Sequence, residues 1–204
     1  MKVDDLPPPH EYWSSLPSKT QGDAESSKLY MYVGLCLSQW ESIENHFADI
    51  FQTFIDTKSH AAKRAYGSIV SAAGRRDALE AAAEVFFAEW SMIPEVEQKR
   101  FMHLLKHFSR ATGRRNEIAH GIAKNLGVHI QGRVEGGWFL FPAEYNSNKT
   151  SAFAGPDIQN TWSFDLGLYR YTSDDLSHFY SRFGELAQAV EEYIVMLKRE
   201  HLKQ

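Results

Sequence analysis

A chain of 204 residues with 43% apolar and 13% aromatic residues can bury a substantial core, which excludes a wholly disordered polymer. Its net charge of −4 argues against a general polyanion binder, and the single cysteine, Cys36, excludes an internal disulfide framework and a cysteine-based zinc site. The N-terminus shows no basic segment followed by an apolar one, and no apolar run approaches the roughly 20 residues of a bilayer span. A soluble protein of a reducing cytoplasm is expected.

Residues 1–22 are rich in proline and serine, and "LPPPHEYWSSLPS" reads as an extended arm that Tyr12 and Trp13 dock onto the body. Residues 23–204 are expected to form a single, mainly helical domain. The spacing predicts a long helix over Ala24–Thr57, with Tyr30, Val33, Leu37, Trp40, Glu44, Phe47 and Phe51 on one face. Glu44 interrupts that otherwise apolar face. A second helical region follows over His60–Trp90, with a break near Gly74. Pro94 opens a third helix, since proline is tolerated in a first turn. Phe101, Leu104, Leu105 and Phe108 form its buried stripe, leaving Lys99, His103, Lys106, His107 and Arg110 outside it.

The period then changes. "VHIQGRV" alternates, with Val128, Ile130 and Val134 on one side and His129, Gln131 and Arg133 on the other. "EGG" reads as a turn, "WFLF" as a second strand, and "TWSFDLGLYRY" as a third. Thr172 or Ser173 caps a last helix whose first turn carries Asp174 and Asp175 and whose apolar face runs from Leu176 to Leu197. The predicted architecture is an up-and-down bundle of about four long helices, with a small antiparallel sheet at about 127–171 inserted before the last.

Charge is unevenly spread: the first 57 residues are acidic, whereas residues 58–115 are basic. Local positive potential holds anions even on an acidic protein. The basic third closes on "GRRNEIAHG", Gly113–Gly121, which sets Arg115, Asn116 and His120 within six residues. At about 100° per residue, Asn116 and His120 share a helix face, whereas Arg115 and His120 diverge by about 140°. Either Gly113 breaks the helix and frees the direction of Arg115, or two copies of the motif meet across a dimer.

The set suits RNA cleavage by the 2′-hydroxyl. That reaction needs a base for the hydroxyl proton, a cation for the phosphorane and a donor for the leaving oxygen. A neutral histidine is the natural base near working pH. Arginine offers forked donors to phosphate oxygens, and asparagine orients either partner. Arg115, Asn116 and His120 are therefore the candidate catalytic residues, with Arg110, Arg114 and Lys124 as substrate-binding cations and Glu44 as the carboxylate that orients Arg115. No metal and no cofactor is required. The competing structural account pairs Arg115 with Glu44 or Glu117 and packs His120 into the core.

"RNEIAH" resembles the signature of the HEPN superfamily, an arginine, a polar residue and a histidine after a short spacer. "WESIENHF" on the first helix is similar to that family's first-helix pattern. The resemblance implies an all-helical bundle that dimerises with two motifs facing one cleft, and metal-independent endoribonuclease activity in toxin–antitoxin or anti-phage systems. It implies that Arg115 and His120 are the catalytic pair and Asn116 the assisting residue. RNA, a second copy of the chain and an antitoxin or defence-system partner are the expected partners; no membrane and no DNA specificity is expected. The family's nucleotide-silenced toxins carry a tyrosine two residues after the histidine, where this chain has Ile122. The alternatives are a non-catalytic module that binds RNA or a nucleotide, and a dimerisation scaffold.

Other signals have plainer readings. His103 and His107 have helical zinc-ligand spacing but no third ligand nearby, which favours a solvated face or a lining for RNA. Arg75 and Arg76 read as a helix break salted to Asp77 or Glu80. Trp138, Phe139, Phe141, Trp162 and Phe164 offer base-stacking surfaces, but their alternation favours a sheet core or a dimer interface. Cys36 reads as a small buried hydrophobe.

Overall fold

The computed structural model of the chain describes residues 1–17, 19–130, 133–142 and 170–201. These are mainly helical, with a two-stranded antiparallel sheet. In order they form a 3-10 turn (Val3–Asp5), α1 (Pro9–Tyr12), α2 (Ser26–Phe54), α3 (His60–Ser68), α4 (Ala72–Glu89), α5 (Glu95–Ala119), β1 (Gly121–Ile130), β2 (Arg133–Pro142) and α6 (Ser173–His201). The chain divides into two compact units. One holds Met1–Trp13, Gln39–Gly113 and Arg182–Gln204; the other holds Ser14–Ser38 and Arg114–Ser181. Helices α2, α5 and α6 supply residues to both.

The first unit is built on aromatic packing. Trp40 stacks on Phe108 at 5.3 Å, Phe47 meets Phe108 at 4.6 Å, and Phe54 lies edge-on to Phe101 at 4.8 Å. Fully burying side chains of this size stabilises by roughly 1.5–3 kcal/mol each. The buried line of α2 is Leu29, Cys36, Ile43 and Ile50 with Trp40, Phe47 and Phe54. Trp40, Glu44 and Phe47 are buried as the sequence predicts, whereas Leu29, Cys36 and Ile50 are buried one residue before the predicted Tyr30, Leu37 and Phe51, which leaves Tyr30 57% exposed. Both lines step by three and four, so spacing alone does not choose between them.

Residues 1–13 are folded rather than extended, and they dock within this unit through Val3, Leu6, Tyr12 and Trp13, all buried. Trp13 stacks on Phe183 at 5.4 Å, and the Tyr12 hydroxyl donates to Glu185. The break expected near Gly74 falls at residues 69–71. Ser71 caps α4 by accepting from the Gly74 amide at 3.0 Å, so Gly74 lies inside the first turn.

The second unit carries the sheet. β1 pairs with β2 from Gly121↔Pro142 to Ile130↔Arg133. "EGG", expected as a turn, therefore sits inside β2. Gly137 there has φ +118°, with the Asp23 carbonyl 2.8 Å from where a Cβ would stand. A strand was expected only from about residue 127, yet β1 starts directly after the helix. Phe139, Leu140 and Phe141 are consecutive and all buried, so both faces of β2 are covered. The outer edge of β2 bonds to Asp23 through Trp138 and to Tyr171 through Leu140. The rest of the predicted third strand, including Trp162 and Phe164, lies outside the described residues.

Thr172 caps α6 in a reciprocal box. Its amide donates to the Asp175 carboxylate at 2.8 Å, and its hydroxyl accepts from the Asp175 amide at 3.4 Å. Asp23 adds a second carboxylate at the same helix start, taking the Ser173 amide at 2.7 Å and the Ser173 hydroxyl at 2.5 Å.

Candidate functional site

Helix α5 runs through Gly113 without a break and ends at Ala119; the His120 amide still donates to the Asn116 carbonyl at 3.0 Å. Gly113 therefore does not redirect Arg115. Asn116 and His120 are exposed on one face, one turn apart, and Arg115 is half-buried. Arg115 Nη1 donates to Asn116 Oδ1 at 3.2 Å, which swings the guanidinium toward the asparagine and narrows the divergence without closing it. Arg115 Nε is buried with no hydrogen-bond partner among the described residues. The His120 imidazole makes no hydrogen bond among them and faces solvent.

An adjoining face of the same turn is engaged internally. Arg114 Nη1 lies 2.8 Å from Glu117 Oε2, donates to the Tyr171 hydroxyl at 3.0 Å, and reaches Ser15 Oγ at 3.3 Å. Tyr171 in turn donates to Glu117 Oε2 at 2.6 Å. Burial first, and then the Glu117 carboxylate beside it, raises the Tyr171 hydroxyl well above its ordinary pKa, so it stays protonated and donating. Gly121 follows immediately, and a Cβ there would stand 2.5 Å from Leu140 Cγ. The "AHG" glycine is required by that close approach.

Of the remaining candidates, Arg110 is exposed on α5 and Lys124 is half-buried on β1, in register with Phe139. Arg114 is committed to Glu117 and Tyr171, where sequence had assigned it to substrate. Glu44 is buried, and the guanidinium it holds is that of Arg75, at 2.9 Å. Arg76 pairs with Asp77 at 2.7 Å. Neither Tyr171 nor Glu117 was singled out for the site from sequence. Tyr171 is remote in the chain, and Glu117 had been weighed only as a partner for Arg115.

His107 corrects the expectation of a solvated face. It is fully buried under residues 7–13, accepts from Trp13 Nε1 at Nδ1 (3.0 Å), and lies 3.0 Å from the Pro7 carbonyl at Nε2. Both ring nitrogens are used, so it neither binds zinc nor lines an RNA path. Burial, then the nearby His103, lowers its pKa to about 4, against the bond to Pro7. No cluster of three or more metal-ligating side chains occurs among the described residues. Cys36 is buried with its thiol on the Leu176 carbonyl at 3.3 Å, and burial pushes its pKa up to about 12, so the expected inert hydrophobe is what is found. Phe139 and Phe141 are buried, which removes them as stacking platforms. No helix among the described residues is long and apolar enough to cross a membrane.

The chain matches no family model, and comparisons with curated proteins and with solved structures return no match.

Proposed function

We propose that the chain is a HEPN-like, homodimeric endoribonuclease of the cytoplasm that cleaves RNA without a metal, in a toxin–antitoxin or anti-phage setting. The observation that carries this reading is the exposed Asn116–His120 pair at the end of an unbroken helix, with Arg115 hydrogen-bonded to the asparagine. In the proposed reaction His120 takes the proton from the 2′-hydroxyl, and the 2′-oxygen attacks the adjacent phosphorus. Arg115 spreads its donors over the non-bridging oxygens as the phosphorane forms. The bond to the 5′-oxygen breaks, that oxygen takes up a proton, and a 2′,3′-cyclic phosphate and a 5′-hydroxyl remain. Asn116 holds the guanidinium in one orientation. Because the helix is straight, Arg115 and His120 from one copy still diverge, and a second copy completes the pair.

Cleavage of total RNA by purified protein in EDTA tests this, with wild type beside His120→Ala and product ends assayed for cyclic phosphate. Loss of a general base typically costs about 100- to 10,000-fold in rate. RNA affinity should stay near wild type, since Arg115 is untouched. Bound but uncleaved RNA in the wild type would leave a binding module. Equal cleavage by both proteins would remove His120 from the mechanism.

A further inference from the structure

We propose that Tyr171 and Glu117, with Arg114, position the motif, so that the β element holds the working turn of α5 in place. This rests on the reading of Arg115, Asn116 and His120 as the working site. Three side chains close a triangle on the face of the turn that adjoins Asn116 and His120. The guanidinium of Arg114 donates to the Tyr171 hydroxyl at 3.0 Å, that hydroxyl donates to Glu117 at 2.6 Å, and Glu117 takes Arg114 at 2.8 Å.

Arg114 and Glu117 bracket Arg115 and Asn116 in sequence, so the triangle fixes the roll of the one turn that carries them. Helix ends fray because their last carbonyls lack partners. This end leads straight into β1, and an anchor on the inward face is what keeps its outward face in one orientation. Tyr171 is itself held at both ends. Its amide and carbonyl bond to Leu140 of β2 at 3.0 and 2.8 Å, and its ring lies edge-on to Phe179 at 5.2 Å. The hydroxyl is therefore a fixed point to which the helix end is tied. The phenol is buried, and its roles as acceptor from Arg114 and donor to Glu117 are both used. Tyr171 acts through the motif and is a positioning residue, not a catalytic one.

Tyr171→Phe removes the hydroxyl and keeps the ring. Amide hydrogen exchange of Ile118, Ala119 and His120 is compared with that of Leu104–Phe108 in the middle of α5. A positioning role makes the former exchange at least about tenfold faster and leaves the latter within about twofold. Single-turnover cleavage in EDTA should fall by about tenfold or more while RNA affinity holds within about twofold, since misplacing reacting groups costs rate. Glu117→Gln keeps the shape of the triangle, weakens its charge, and should shift the same three amides in the same direction. Unchanged exchange at 118–120 in both variants overturns the inference, and so does an equal rise at both sets of amides, which marks general destabilisation. If the three amides respond and wild type cleaves no RNA, the positioning stands and the nuclease reading falls.

Discussion

The neutral ring of His107 is saturated: Nδ1 accepts from Trp13, and Nε2 donates to the Pro7 carbonyl. A second proton on Nδ1 would displace the indole and leave a charge in a fully buried place. The folded pKa of about 4 lies below the ordinary value of 6.5, so between those values the unfolded chain binds more protons. The contribution of His107 to stability is then complete above the unfolded pKa and is lost as pH falls toward the folded one. Its size is about 2 to 3 kcal/mol between pH 7 and pH 4.5. Urea melts at those two pH values check it. Wild type should lose midpoint on acidification, and His107→Gln, which still accepts from the indole but does not titrate, should lose clearly less. Equal losses would mean that other groups carry the acid sensitivity.

At the scale of elements, the junction between α5 and β1 is a close fit. Gly121 has no room for a side chain, because Leu140 fills the space within 2.9 Å of a would-be Cβ. Gly121→Ala should therefore cost about 1 to 3 kcal/mol through overpacking, and pairing the change with Leu140→Ala should recover part of it. Thermal melts of the single and double variants measure this coupling; additive losses would place the strain elsewhere. The long helices were legible in the sequence because three- and four-residue spacing survives on α2, α5 and α6. What failed were choices that spacing does not make. Part of the buried line of α2 falls one residue earlier, at Leu29, Cys36 and Ile50, since both lines obey the same spacing. The hairpin turn was assigned to "EGG" because glycine marks turns, but these glycines serve close backbone approach inside β2. His107 looked solvated because nothing local shows that residues 7–13 cover it. The motif itself was legible as a cluster of types, whereas its anchor at Tyr171 is made by contact between residues 54 apart or more.

For the whole molecule, the unbroken α5 leaves one question of assembly. A straight helix keeps Arg115 and His120 about 140° apart, and the Arg115–Asn116 bond narrows that only in part. Under the proposed function each site draws its arginine from one copy and its histidine from the other. A two-fold dimer then has two equivalent composite sites, and a complementation experiment follows. Arg115→Ala and His120→Ala should each be inactive alone. In a mixed dimer one site loses both residues and the other keeps both. Unfolding the two variants together and refolding them at equal concentration should recover about a quarter of wild-type activity per protein, since about half of random dimers are mixed and each has one intact site. Activity should rise with protein concentration in step with the dimer fraction measured by sedimentation. A mixture as silent as its parts would place both residues of a working site in a single copy. The small turn of Arg115 toward Asn116 would then have to continue when RNA binds, and the second copy would lose its place in the chemistry.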